Sequence, residues 1–174
     1  KGNMKNFEQF KLSKQMFKSL KNINFDIPTP IQEKSIPLAL KGKDILGSAQ
    51  TGTGKTAAFC IPMIEKLMLS DTSTSLILTP TRELAKQILD SIHILLGFQN
   101  HLKSVVLIGG EPISKQLSIL KKKPRIIIGT PGRINDLLER KTLNFSKTNY
   151  LVLDETDRML DMGFTPQIEI ILKF

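Results

Sequence analysis

Five short apolar runs, separated by amphipathic stretches, constrain what this chain can fold into more than any other feature. The runs lie at Asp44–Gly47, Ser75–Thr79, Ser104–Ile108, Arg125–Ile128 and Tyr150–Leu153. They are four or five residues long and rich in Val, Ile and Leu, which suits strands covered on both faces. The intervening stretches Lys55–Leu69, Arg82–Leu96, Ile113–Leu120 and Pro131–Glu139 carry apolar residues at helical spacing. Strand–helix–strand alternation of this kind implies right-handed crossovers and an α/β fold, a parallel β-sheet sandwiched by helices on both faces. Ligands bind such sheets beyond the carboxyl ends of the strands, so the chemistry is expected in the loops there.

Length and composition agree with one globular domain. At 174 residues, with 40% hydrophobic and 24% charged, the chain lies near the globular average, against disorder or a coiled coil. No stretch approaches the ~18 consecutive apolar residues of a membrane span, so no membrane partner is expected. A single cysteine, Cys60, excludes an internal disulfide and points to a reducing, cytoplasmic setting. The net charge of +9 is the footprint of a polyanion partner. It is also what surface lysines produce for solubility, since only five of the 25 basic residues are Arg.

Lys1-Gly2-Asn3 precede Met4 and are expected to be an expression scar. Residues 4–42 read as an N-terminal extension of helices around the turn Pro28-Thr29-Pro30, and residues 43–174 as the α/β unit. Ile168, Ile171 and Leu172 keep a helical period up to Phe174 without a stop signal, so the chain is expected to be part of a longer protein.

The first strand runs into Ala49-Gln50-Thr51-Gly52-Thr53-Gly54-Lys55-Thr56 and then a helix. The generic phosphate loop is Gly-x4-Gly-Lys-Ser/Thr in that strand–helix setting, and only its first Gly differs here, as Ala49. Gly52 and Gly54 let the backbone close around a phosphate. The N–H groups of the turn and of the helix start form an anion-binding nest. Lys55 is placed to reach the β- and γ-phosphates, and the Thr56 hydroxyl to bind Mg²⁺. Tyr150-Leu151-Val152-Leu153 leads into Asp154-Glu155. Asp154 is the expected metal carboxylate, acting through water because Mg²⁺ dehydrates reluctantly. Glu155 is placed to polarise an attacking water as general base. Together these features describe a nucleoside triphosphatase with a Mg²⁺ site.

Further signatures stand in order along residues 7–174, and through them the chain resembles the first RecA-like domain of the DEAD-box RNA helicases. Phe7 and Phe25-Asp26-Ile27-Pro28-Thr29-Pro30-Ile31-Gln32 resemble that family's adenine-reading Q motif, and Ala49–Thr56 its phosphate loop. Pro80-Thr81-Arg82-Glu83-Leu84-Ala85, Gly109-Gly110 and Thr130-Pro131-Gly132-Arg133 resemble its RNA-contacting motifs. Asp154-Glu155-Thr156-Asp157 stands where the family has Asp-Glu-Ala-Asp, followed by Arg158–Phe164.

The resemblance implies that Phe25 stacks on adenine and that Gln32 reads its N6 and N7 edge, as one amide's donor and acceptor permit. Without it, Phe25 reads as core and Gln32 as a helix-start residue. It implies that Gln50, Thr51, Gly52, Thr53, Gly54, Lys55 and Thr56 hold ATP. It implies that Pro80, Thr81, Arg82, Gly109, Gly110, Thr130 and Arg133 contact RNA. Small and hydroxyl-bearing residues after successive strands suit a sugar–phosphate backbone gripped without reading sequence. Thr130 and Pro131 are also an ordinary helix start. Lys121-Lys122-Lys123 followed by Arg125 reads first as a solvated helix end, where cations also favour the helix dipole, and second as an RNA patch.

Unwinding further implies a second RecA-like domain in cis, supplying arginines to the γ-phosphate, with Asp157 coupling ATP to it. Protein cofactors are possible partners. Residues 1–174 alone are expected to bind adenine nucleotide and hydrolyse it barely. Thr156 in place of Ala is expected to leave ATPase activity intact, and Asn24 in place of Gly to tolerate a left-handed turn. An ATP-gated RNA clamp shares every residue above. A DNA translocase of the wider superfamily fits the Q motif and the Thr130–Arg133 turn less well.

Overall fold

The computed structural model describes residues 45–47, 53–97 and 102–172, with 45–47, 53–58, 156–157 and 172 described by backbone alone. Five strands, β1 (Ile45–Gly47), β2 (Thr74–Leu78), β3 (Ser104–Leu107), β4 (Ile126–Gly129) and β5 (Thr148–Asp154), form one parallel sheet in the order β1-β5-β2-β4-β3. Helices α1 (Thr53–Met68), α2 (Arg82–Leu96), α3 (Ile113–Leu120), α4 (Pro131–Glu139), α5 (Thr156–Asp161) and α6 (Thr165–Leu172) follow the strands. The bounds of α2, α3 and α4 are those the apolar spacing predicts. Each of the five strands lies within two residues of its predicted run. Among the described residues no helix is long and apolar enough to cross a membrane.

The sheet is buried on both faces because successive strand residues alternate between two apolar layers. Ile77, Ile126, Ile128 and Val152 pack with Phe59, Ile64 and Leu67 of α1 and Ile88, Ile92 and Leu95 of α2. Leu76, Leu78, Ile127 and Leu153 pack on the other side, with Ile134 and Leu137 of α4, Met159 of α5 and Ile168 of α6. Each such fully buried aliphatic side chain contributes about 1.5–3 kcal/mol. α1 continues through Pro62, which lacks a backbone N–H, and dense packing holds it: Phe59, Ile61 and Met63 are all 1% exposed or less. The Tyr150 hydroxyl donates to the Phe59 carbonyl at 3.3 Å, joining α1 to β5.

Arg125 differs from its reading as part of a solvated helix end. Lys121, Lys122 and Lys123 are exposed at the end of α3, but Arg125 is half-buried. Its Nε donates to the Ser73 carbonyl at 2.6 Å, and its Nη2 to the carbonyls of Leu67 at 2.7 Å and Ser70 at 2.6 Å. The Leu67 carbonyl lies in the last turn of α1, where a cation also meets the negative end of the helix dipole, and those of Ser70 and Ser73 lie in the loop that leads to β2. Arg125 is a cap.

Gly129 closes β4 between two strands and lets α4 start directly above the sheet. A Cβ there would lie 2.6 Å from Ile134 Cδ1 and 2.9 Å from the Leu107 carbonyl oxygen. The isoleucine can shift, but the β3 backbone cannot without breaking its pairing with β4. Gly129→Ala is therefore expected to destabilise the domain by about 1–3 kcal/mol. The measurement is urea unfolding, with a lowered midpoint at unchanged slope; a wild-type midpoint would contradict the packing described here.

Candidate functional site

Parallel pairing brings the carboxyl ends of all five strands to one edge. Gly47 is level with Asp154, Leu153 with Leu78, and Gly129 with both Leu78 and Leu107. The sheet order makes the loops after β1 and β5 neighbours, and likewise those after β2, β4 and β3. Topology thus sorts the motifs into two groups. The end of β1 and the acidic pair after β5 share one half of the edge, and the three turns at residues 80–83, 109–111 and 130–133 share the other.

In the first half, Phe25, Gln32, Gln50, Thr51 and Gly52 lie outside the described residues. Thr53, Gly54, Lys55 and Thr56 form the first turn of α1, which completes the strand–loop–helix frame that the phosphate-loop reading requires. Asp154 ends β5 fully buried beside Gly47. Glu155 follows, 6% exposed, with φ 52° and ψ 53°. This left-handed conformation costs a residue with a Cβ about 1–2 kcal/mol, and such strain concentrates at working sites. The Glu155 carboxylate accepts from Arg158 Nη1 at 3.4 Å, and its carbonyl accepts from the Met159 N–H at 3.1 Å. α5 starts at Thr156, and Asp157 lies in its first turn. Cys60 on α1 is fully buried, as expected of a packing residue. Burial pushes its thiol far above the ordinary range and the Asp154 carboxylate adds to the shift, so the thiolate does not form.

In the second half, the residues expected to contact RNA all line a single groove of about 650 Å³. Pro80, Thr81 and Arg82 come from the β2–α2 turn, Gly109 and Gly110 from the turn after β3, and Thr130 and Arg133 from the start of α4. Glu83, Gly132, Asp136 and Phe164 complete the lining. The sequence reading did not single these out, although Glu83, Gly132 and Phe164 sit inside the motifs that drew attention. Asp136 carried only a positional signal, three residues after Arg133 on α4.

The N-termini of α2 and α4 both open on this groove and direct partial positive charge into it. Thr81 caps α2, its Oγ1 accepting from the Leu84 N–H at 3.2 Å. Thr130 caps α4 through its backbone without a side-chain capping bond, with Pro131 following, which leaves its hydroxyl for a ligand. Arg133 Nη1 donates to Gln116 Oε1 at 2.9 Å, and both terminal nitrogens lie 3.4 Å from the Glu111 carbonyl. Lys86 reaches the Glu111 carboxylate at 3.5 Å, an exposed pair of little energetic weight.

Gly110 has φ +79°, and a Cβ on it would collide with the Arg82 guanidinium. Gly110→Ala is expected to cost only about 1 kcal/mol of stability, because the Arg82 tip can swing away. That swing removes a cation from the groove. Single-stranded RNA affinity is expected to fall about tenfold, the weight of one charged hydrogen bond, as read by fluorescence anisotropy. Unchanged affinity would show that Arg82 does not act from this position.

The chain is similar to curated helicases over nearly its whole length. An ATP-dependent RNA helicase CshA from Listeria monocytogenes is 49% identical over 171 residues, covering 98% of this chain and 33% of that protein. A DEAD-box ATP-dependent RNA helicase CshA from Geobacillus kaustophilus is 44% identical over 170 residues, covering 97% of this chain and 36% of that protein. The chain thus spans about a third of the length of the curated relatives it matches. The family model described as DEAD/DEAH box helicase matches residues 29–174. With most of its length matched by that model and its motifs gathered at one sheet edge, this chain belongs to the DEAD/DEAH box helicase family.

Proposed function

We propose that residues 1–174 are the ATP-binding RecA-like unit of a cytoplasmic, ATP-dependent RNA helicase, which couples ATP hydrolysis to local separation of RNA duplexes. The observation that carries this reading is the gathering of three turns, distant in sequence, into one groove that holds Arg82, Arg133 and the N-termini of α2 and α4, on the same sheet edge as the Asp154–Glu155 strand end. The N-terminal segment 4–42 brings Phe25 and Gln32 to the adenine, and residues 43–174 carry the phosphate and RNA sites. A second RecA-like domain in cis supplies the arginines that complete the γ-phosphate site, and the greater length of the relatives leaves room for it. Protein cofactors would act on the same unit.

The donor set fits Mg²⁺. Asp154 is a buried carboxylate at a strand end, and Mg²⁺ in phosphate-transfer sites is held by one or two carboxylates with substrate phosphates supplying the rest. Asp154 and the Thr56 hydroxyl would hold it. When bound, the ion neutralises charge on the phosphate oxygens. The chain's own groups do the remainder. The turn of Gln50–Gly54 cradles the phosphates with backbone N–H groups, and Lys55 adds a point charge at the β- and γ-phosphates. Glu155, held in its strained conformation by the buried strand end, orients a water and accepts its proton. Thr81, Gly109, Gly110 and Thr130 let an RNA strand approach closely, while Arg82 and Arg133 meet its phosphates. Asp157, two residues after Glu155, transmits the state of this site to the second domain.

The test is ATP hydrolysis by the intact protein with single-stranded RNA, with single-stranded DNA and with neither. RNA alone is expected to stimulate turnover, and Lys55→Ala to abolish it. Glu155→Gln is expected to keep ATP binding and lower hydrolysis by about 10²–10⁴-fold. Residues 1–174 by themselves are expected to bind ATP with almost no turnover. Equal stimulation by DNA, or vigorous turnover by residues 1–174 alone, would contradict the proposal.

A further inference from the structure

A buried amide on α3 ties together two turns that wall the RNA groove. Gln116 shares an inward stripe with Ile113, Leu117 and Leu120, which pack against the apolar layer beneath, and it is only 2% exposed. Its Nε2 donates to the Ile108 carbonyl at 2.8 Å, and its Oε1 accepts from Arg133 Nη1 at 2.9 Å. A buried amide is costly unless both ends are bonded, and here both are. One partner is the residue that leads into Gly109-Gly110, and the other is the guanidinium at the start of α4. The Glu111 carbonyl, 3.4 Å from both terminal nitrogens of Arg133, lies in the same turn as the two glycines.

A free arginine side chain samples many rotamers, and ordering it on binding weakens the contact it makes. A guanidinium whose one N–H is already held by a buried acceptor presents its other N–H groups in a set direction, which a bidentate phosphate contact requires. No other residue type of this length offers the same pair of contacts. Met offers neither donor nor acceptor, and Glu faces the Ile108 carbonyl with a second acceptor.

We propose that Gln116 is a positioning residue for RNA binding, anchored on the Ile108 carbonyl and acting through Arg133, whose guanidinium it holds in the direction that receives a phosphate. The inference rests on the reading of this groove as the RNA interface. It places Gln116 behind the groove wall, with no RNA contact of its own.

The experiment measures single-stranded RNA binding by the intact protein with a non-hydrolysable ATP analogue, over a series of salt concentrations. Gln116→Met is expected to lower affinity about tenfold and to reduce the slope of log affinity against log salt by about 0.7, the loss of one phosphate contact on a single strand. Arg133→Ala is expected to do the same, and the double variant to be no weaker than Arg133→Ala. Gln116→Glu keeps an acceptor for Arg133 and is expected to lose less than Gln116→Met, which a general loosening of α3 would not produce. Circular dichroism and the urea midpoint establish that each variant is folded. Wild-type affinity and slope in Gln116→Met, or losses that add in the double variant, overturn the positioning role. Wild-type RNA affinity in Arg133→Ala overturns the reading of the groove itself.

Discussion

The parallel pairing of β5 with β1 on one side and β2 on the other is the constraint on which the site depends. β5 is the last strand in the described chain, yet it is inserted between the first two. That insertion sets Asp154 level with Gly47, the last residue of β1, and leaves the strands that end in the groove turns together on the far side. A different strand order with the same elements would scatter the motifs. The hydrophobic layers on both faces go with this order, since β2, β3, β4 and β5 present alternate side chains to the layer of α1 and α2 or to that of α4, α5 and α6.

Two kinds of local tension accompany that arrangement. Glu155 takes a left-handed backbone conformation, so its carboxylate stands at the strand end at a cost in stability that the packing of β5 and of Met159 on α5 absorbs. The groove solves the opposite problem. Two guanidinium groups must stand near each other without filling the space a nucleic-acid strand needs. Glycine supplies the room at Gly110, where Arg82 lies over the Cα, and hydrogen bonds to Gln116 and to the Glu111 carbonyl direct Arg133. Helix N-termini add positive potential without adding bulk. The result suits a polymer recognised by its backbone.

Much of this was legible along the chain because it is written in local terms. Helical spacing marked Arg82–Leu96 and Pro131–Glu139, and hydroxyl residues at strand–helix joins marked Thr81 and Thr130. What escaped depends on partners far apart in sequence. Arg125 looked like one more cation in a lysine run, and its carbonyl partners lie 52 to 58 residues earlier, at the end of α1 and in the loop that leads to β2. Gln116 did leave a trace, a polar residue on an otherwise apolar inward stripe, but the reason for it is Arg133 on the next helix. Phe164 stands at the end of the Arg158–Phe164 stretch with no groove role assigned to it, and only the fold, which packs it just before α6, brings it to the groove. The adenine-reading roles of Phe25 and Gln32 rest on family resemblance alone, because a phenylalanine and a glutamine near a proline turn carry no such chemistry by themselves.

The most direct measurement is ultraviolet cross-linking of single-stranded RNA to the intact protein with a non-hydrolysable ATP analogue, with the cross-linked peptides identified by mass spectrometry. Cross-links are expected in the segments holding Pro80–Glu83, Gly109–Glu111 and Thr130–Arg133, at the carboxyl ends of β2, β3 and β4. Cross-links confined to Lys103 and Lys121–Lys123, the exposed cations near the opposite ends of β3 and β4, would show that surface charge and not the groove holds the RNA.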